Sequence, residues 1–331
     1  MRILVLGGTG VISRAIITEG IKAGHDMIAL NRGLRKVAFQ IEPKTIHADW
    51  SDSLDFQQKT QGLDVDVVID VLCRTPEDAK RTLDCFGGKT RQWIFTSTSC
   101  AYQKPFAKYP VREGETTPWS SPEYAYAYNK AQMEAYLFAR LKDGDTPVTI
   151  IRPSLTYGEG CANIGVLRQN ANIVHRLKQG KPLLLYDDGQ TVFTFTFAPD
   201  LARGYLACCG NPAAYGQDFH ITSRNTASME EYYRTFGRIV GCEPHFKYLS
   251  SQTLFAMDPA QFDHIWFEKR FDHRFSLDKI KQACPDWEPE ISLEQGLRHM
   301  VGWWEAQGMP FYQEKDQLED RLCESANNRR D

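Results

Sequence analysis

The first apolar run of the chain, Ile3 to Leu6 behind Arg2, stops at Gly7-Gly8-Thr9-Gly10, and apolar positions then resume at Ile12, Ile16, Ile17 and Ile21. A short unbroken apolar run fits a strand buried on both faces, whereas positions spaced three and four apart fit a helix laid against it. The same alternation continues. It predicts strands at Arg2 to Leu6, Met27 to Leu30, Thr45 to His47, Val65 to Asp70, Gln92 to Phe95 and Val148 to Ile151. Helices are predicted near Val11 to Ala23, Pro76 to Phe86 and Glu123 to Leu141. Strands separated by helices specify an α/β fold with a doubly wound parallel sheet. After Arg152 the pattern becomes irregular, with turns at Gly158-Glu159-Gly160, Gly180-Lys181-Pro182 and Asp187-Asp188-Gly189. The chain therefore divides into a sheet domain over 1–160, a smaller C-terminal lobe over 161–312 with some chain crossing back to the sheet, and a charged tail over 313–331. That tail is poor in apolar periodicity, so its last turns are expected to fray into solvent.

Composition narrows the class. With 331 residues the chain can bury a large core, and a net charge of -3 gives no general attraction to nucleic acid or to an anionic membrane. The nine cysteines are odd in number, scattered and without a C-x-x-C, and there is no signal peptide or membrane-length apolar run. Reduced thiols in a cytoplasmic protein are the simplest reading. The eight histidines do not cluster at ligand spacing, so no metal site is expected.

The glycine turn brings in the first candidate chemistry. A strand, a tight turn and a helix N-terminus make a pyrophosphate site: Gly7 permits the turn, Gly10 lets the backbone approach the phosphates, and the helix amides around Thr9, Val11 and Ile12 face the charge. Ser13 stands where a third glycine is usual and should let helix and strand pack less closely. This predicts a Rossmann-type dinucleotide-binding domain with a substrate lobe attached.

Tyr126 and Lys130 supply the second. They lie one helical turn apart, downstream of a strand that runs into Thr96-Ser97-Thr98-Ser99. A phenol has a reference pKa of about 10, so a tyrosine acting as a base near neutrality must be acidified, and a neighbouring ammonium can contribute to that. The Thr98 hydroxyl would hold the substrate oxygen against the phenol.

Taken with Asp49 after the third strand, Ala101-Tyr102, Arg152-Pro153, Tyr157-Gly158 and Phe197-Ala198-Pro199-Asp200-Leu201-Ala202, these motifs make the chain resemble an extended short-chain dehydrogenase/reductase of the NAD-dependent epimerase/dehydratase type. The resemblance covers most of the chain. It implies a catalytic set of Thr98, Tyr126 and Lys130, with Lys130 also binding the nicotinamide ribose. It further implies cofactor contacts from Asp49 and Trp50 at the adenine, from Val71 and Leu72, and from Pro153. Cofactor choice turns on the end of the second strand, where NAD-selective folds carry an acidic residue. This sequence has Asn31-Arg32-Gly33 followed by Arg35 and Lys36, which favours NADP over NAD, because an arginine can pair with a 2'-phosphate.

The substrate is expected to be a sugar-like or other polar small molecule, oxidised or reduced at a hydroxyl or carbonyl carbon. Relatives that act on nucleotide-diphosphate sugars carry an Asn and an Arg where this sequence has Leu155 and the run Val192-Phe193-Thr194-Phe195-Thr196-Phe197, which lacks charge-assisted donors. At least two of those phenylalanines read as core at period two. Arg74, Ser154, Leu155 and His220 are candidate substrate contacts, with His220 expected to end a strand of the substrate lobe. The resemblance also admits another class, a binding protein like the chloroplast RNA-binding relatives, which the net charge and the intact Thr98, Tyr126 and Lys130 set disfavour. A homodimer is expected through Tyr124, Tyr128, Met133, Tyr136 and Leu137 on one helix and Ala79, Leu83 and Phe86 on the one before.

Overall fold

The computed structural model describes residues 1–331 apart from 36, 87–88, 141–145 and 327–331, so Lys36 and Leu141 of the expectations above lie outside the described residues. The first half builds β1 (Arg2–Leu6), α1 (Val11–Lys22), β2 (Asp26–Asn31), β3 (Lys44–His47), α2 (Ser53–Thr60) and β4 (Val65–Asp70). It continues through α3 (Pro76–Phe86), β5 (Thr90–Thr96), α4 (Ala125–Ala139) and β6 (Val148–Arg152). The later chain adds β7 (Leu155–Tyr157), α5 (Asn172–Gln179), β8 (Leu183–Tyr186), β9 (Val192–Phe197), α6 (Ala198–Cys208), β10 (Asp218–His220), β11 (Thr226–Ser228) and α7 (Met229–Val240). Last come β12 (Phe246–Leu249), α8 (Ser251–Met257), α9 (Pro259–His264), α10 (Asp278–Ala283), α11 (Leu293–Ala306) and α12 (Gln313–Glu324).

The central sheet has the order β3-β2-β1-β4-β5-β6-β10, and every pair in it is parallel. Strand order therefore reverses between β1 and β4, the position at which open α/β sheets bind ligands beyond the carboxyl ends of their strands. Alternation along β1 shows why the strand reads as continuously apolar: Ile3 and Val5 pack into the layer of α1 and α6, while Leu4 and Leu6 pack into the layer that holds Phe86, Met133 and Leu137. Edge strand β3 is mostly exposed. The third core, built on β7, β9, α5, α7 and α11, contains Phe193, Phe195 and Phe197, so all three phenylalanines of the Phe/Thr strand are core.

Three expectations need correction. His220 ends β10, a strand of the central sheet beside β6 rather than of the substrate lobe. The 313–331 segment does not begin as frayed tail: α12 is docked through Leu322 and Cys323, and Asp316 and Glu319 meet Arg176, which is fully buried. The sequence shows those charges without their partner, which is distant in sequence, and the last residues, 327–331, lie outside the described residues. Finally, Ala79, Phe86, Met133, Leu137 and Tyr124, expected on a subunit interface, are buried in the protomer's own cores. Only Leu83, Tyr128 and Tyr136 of that set remain partly open. Among the described residues no helix is long and apolar enough to cross a membrane.

Candidate active site

The carboxyl ends of β1, β2, β3 and β4 open onto a cavity of about 660 Å³ lined by Gly7, Thr9, Asn31, Arg32, Asp49, Trp50, Val71, Leu72 and Arg74 among others. Gly7 has φ +126° and Gly8 φ +92°, backbone that L side chains rarely adopt, and a Cβ at Gly8 would press on Ala29 at 3.1 Å. Ser13, in place of the third glycine, costs less packing than expected. It is buried, and its Oγ accepts the Gly10 N–H at 3.1 Å, closing the turn on itself. Gly10, Val11 and Ile12 open α1 behind Gly7, with no acidic residue in the first helical turn to compete for an anion.

Around the rim, Asn31 folds its own loop, its Oδ1 accepting the Gly33 N–H at 2.8 Å. Asp49 accepts from the Ser51 hydroxyl and N–H at 2.6 and 2.9 Å, bonds that hold its carboxyl below the usual range. Trp50 donates to Thr82 at 3.0 Å, and Thr82 donates to the buried Asp70 at 2.6 Å. Among the described residues Arg32 and Arg35 make no salt bridge. Cavity and glycine turn together fit a dinucleotide.

Past the end of β5, Thr98 starts a short turn, its Oγ1 accepting the Cys100 N–H at 3.1 Å. The same hydroxyl bears on the phenol of Tyr126, near the start of α4. Tyr126 keeps 42% of its surface open, yet enough protein surrounds the phenol that desolvation pushes its pKa up, Cys100 adding to the effect and Thr98 and Arg74 opposing it. Lys130 is not among the groups that bear most on the phenol. The Lys130 ammonium instead donates to the carbonyls of Cys73 and Thr96, each at 2.6 Å, and burial lowers its pKa. Pro153 is buried and accepts the Ser99 N–H at 3.0 Å, bracing the Thr98 turn from behind.

The candidate substrate residues separate. Arg74 is exposed at the mouth of the cavity, and its charge reaches Tyr126. Ser154 is turned toward β9, its Oγ meeting the Thr194 carbonyl at 2.8 Å and the Thr196 hydroxyl at 2.7 Å. Leu155 packs on the lobe core. His220 is fully buried, with Nε2 2.7 Å from the Tyr102 hydroxyl, so it is a structural histidine and not a substrate contact.

Sequence reading missed one group that the fold brings to this place. Glu268 lies on a π-helical segment, Ile265–Lys269, and accepts from the Tyr124 hydroxyl at 3.1 Å. Single-turn π-helical segments concentrate at functional sites but carry no sequence signature.

Comparison with known proteins agrees with this architecture. The profile of the NAD dependent epimerase/dehydratase family matches residues 3–222. The chain is 23% identical over 289 residues to 2'-dehydrokanamycin reductase of Streptomyces kanamyceticus, spanning 87% of this chain and 80% of that protein. It is 26% identical over 314 residues to the chloroplast stem-loop binding protein of 41 kDa b of Arabidopsis thaliana, spanning 89% and 77%. Among solved structures, UDP-glucose 4-epimerase with UDP-glucose from Thermotoga maritima matches at TM-score 0.74 and 19% identity, over 93% of this chain and 99% of that one. dTDP-glucose 4,6-dehydratase from Bacillus anthracis in complex with NAD matches at TM-score 0.74 and 18% identity, over 94% and 100%. Parallel sheet, glycine turn and family profile coincide over the same residues, and the chain belongs to the NAD-dependent epimerase/dehydratase family.

Proposed function

We propose that this protein is a cytoplasmic, NADP-preferring reductase that acts on a carbonyl carbon of a sugar-like or other polar small molecule, with Tyr126 as proton donor, Thr98 holding the substrate oxygen and Lys130 fixing the nicotinamide ribose. The observation that carries this reading is Lys130, one turn from Tyr126 on α4, tied to the carbonyls of Cys73 and Thr96 just before the Thr98 turn, set beside the dinucleotide-sized cavity. When bound, the cofactor supplies the hydride. The residues of the chain handle the proton. A phenol, with an ordinary pKa of about 10, is protonated at neutral pH, so Tyr126 starts as an acid and donates to a carbonyl oxygen that accumulates negative charge. Thr98 donates to the same oxygen and keeps it in line with the phenol. Lys130, held by carbonyls at the ends of β4 and β5, presents a fixed cation under the site.

NADP is preferred to NAD because Arg32 and Arg35 reach the rim of the cavity and form no salt bridge among the described residues, although the charge of Arg32 is felt by Asp49. A nucleotide-diphosphate sugar is disfavoured: Phe193 and Phe195 are core, and β9 offers no cation. The net charge of -3 speaks against a nucleic-acid partner despite the likeness to a stem-loop binding protein. The protein is also taken to work as a homodimer through what remains open on α3 and α4.

The test is mass-spectrometric identification of the nucleotide that co-purifies, followed by a screen of carbonyl compounds with NADPH and NADH. NADPH-dependent turnover of a polar ketone is expected. NAD retained through purification with no net consumption of NADPH by any carbonyl would replace this reading with an internal redox cycle such as epimerisation.

A further inference from the structure

Trp50 and Lys130, the residues assigned to the two ends of the cofactor, are joined by one run of hydrogen bonds. The Trp50 indole donates to the Thr82 hydroxyl of α3 at 3.0 Å, and that hydroxyl donates to Asp70 Oδ2 at 2.6 Å. The other carboxylate oxygen, Asp70 Oδ1, accepts the N–H groups of Leu72 and Cys73, each at 2.8 Å. Cys73 in turn offers its carbonyl to the Lys130 ammonium at 2.6 Å.

Two features set this run apart from ordinary packing of α3 on the sheet. Asp70, Thr82 and Cys73 are fully buried, and among the described residues Asp70 forms no salt bridge, so three neutral donors hold its carboxylate. An apolar pair would fill the space between helix and strand without the cost of stripping water from polar groups. The second feature is a parallel tie. Asp78 accepts the N–H groups of Arg74 and Thr75 at 3.0 and 3.2 Å through Oδ2, and its Oδ1 pairs with Arg81 at 3.0 Å, whose guanidinium lies over the Trp50 ring at 4.9 Å. The segment after β4, which walls the cavity with Val71, Leu72 and Arg74, is therefore gripped at both ends by acids that also hold Trp50.

We infer that Asp70 and Thr82 are positioning residues of the cofactor site: they carry the placement of Trp50 at the adenine through to Lys130 at the nicotinamide ribose, so that the two ends of a dinucleotide are received at one fixed spacing. The inference rests on the cofactor reading given above, and goes beyond it by assigning two fully buried residues that do not line the cavity. Hydrogen bonds fix direction as well as length, so a continuous run of them determines where its last donor stands. A displaced Lys130 is felt by the nicotinamide half of the ligand alone.

The test compares a whole dinucleotide with its adenosine half. Affinities of NADPH and 2',5'-ADP, with NADH and ADP as a second pair, are measured by calorimetry on the full chain and its variants. Both members of a pair carry the same adenosine, so any slackening of the adenine wall cancels in their ratio. Thr82→Val is expected to cut the preference for the dinucleotide by roughly five-fold or more, the weight of one weakened hydrogen bond. Thr82→Ser keeps the hydroxyl and should restore most of that preference. Asp70→Asn, whose amide turns a donor toward Thr82, should lower the ratio in the same direction. In Lys130→Met the Thr82→Val change should alter the ratio no further, because the run has lost its last member. An unchanged ratio in Thr82→Val, no rescue by serine, or additive losses in the double variant overturns the inference and leaves Thr82 a packing residue of α3. A further measurement needs no nucleotide: the indole N–H signal of Trp50, assigned by its absence in Trp50→Phe, should move in Lys130→Met. A signal that stays in place overturns the inference, whereas a parent that binds neither dinucleotide sinks the cofactor reading alone.

Discussion

Lys130 of α4 donates to the carbonyl oxygen of Cys73, just past β4, at 2.6 Å, and to that of Thr96, the last residue of β5, at the same distance. One ammonium thus ties a helix to the ends of two neighbouring strands. Its removal leaves two buried carbonyls without their donor, each costing about 1–3 kcal/mol when nothing replaces it. Lys130→Met is therefore expected to lower stability by a few kcal/mol, roughly one such carbonyl's worth after relaxation, and to weaken nucleotide binding about ten-fold or more. Tyr126→Phe separates from it cleanly. The ring stays, nucleotide affinity and melting temperature stay, and turnover falls by about 100-fold or more, the usual weight of a positioned proton donor. Near-normal turnover in Tyr126→Phe would remove the phenol from the chemistry.

Arg32 lines the cofactor cavity beside Asn31, whose side chain is occupied in shaping the loop. Arg32 forms no salt bridge among the described residues, and a guanidinium held in that way is suited to a 2'-phosphate. Arg32→Ala should raise the Kd for NADPH by about ten-fold to a hundred-fold and that for NADH by no more than two- or three-fold, in the range of one charge-assisted contact. Fluorescence titration of both nucleotides measures the ratio. Equal losses would place the arginine over the adenine and make NAD the cofactor.

His220 gives the fold an acid sensitivity. Burial, then the nearby Arg152 charge, pushes it down to about 3. The unfolded chain would titrate it near the reference value of about 6.5, so between roughly pH 6.5 and pH 3 the unfolded state holds a proton that the native state lacks. Stability from this residue therefore falls as pH falls through that window, by up to about 1.4 kcal/mol per pH unit. Urea unfolding at stepped pH should show a shallower acid slope for His220→Gln than for the parent. An unchanged slope would mean that His220 is charged in the folded protein.

What could be read from the sequence was what local pattern encodes. β1 and its glycine turn, the spacing of Tyr126 and Lys130, and Thr98 after β5 are contiguous signals, and a cavity forms at the glycine turn. What could not be read depends on distant chain. Glu268 meets Tyr124 across 144 positions and sits on a π-helical segment with no pattern of its own. The apolar stripe of α3 and α4 could face a partner or the sheet, and periodicity is the same for either. Only packing shows that Met133 and Leu137 went inward.

The C-terminal helix shows the same limit from the side of charge. Arg176 of α5 is fully buried and gathers Asp316 Oδ1 at 2.7 Å, Asp320 Oδ1 at 2.9 Å and Glu319 Oε2 at 3.3 Å, while its remaining donors go to the Pro182 carbonyl. Glu319, also fully buried, accepts from Gln169 and from the Leu184 N–H, both at 2.9 Å, and burial pushes its carboxyl up to about 7. A buried ion cluster adds little over an apolar one of the same shape, but breaking it from one side leaves an uncompensated charge, at about 3–5 kcal/mol. Arg176→Met is therefore expected to cost that much near pH 8, where Glu319 must ionise or take up a proton against the pH. The cost should shrink toward pH 5.5, where protonated Glu319 no longer needs a cation. Urea unfolding at both values decides it, and a loss below about 1 kcal/mol at pH 8 would mean that α12 is held by Leu322 and Cys323 alone.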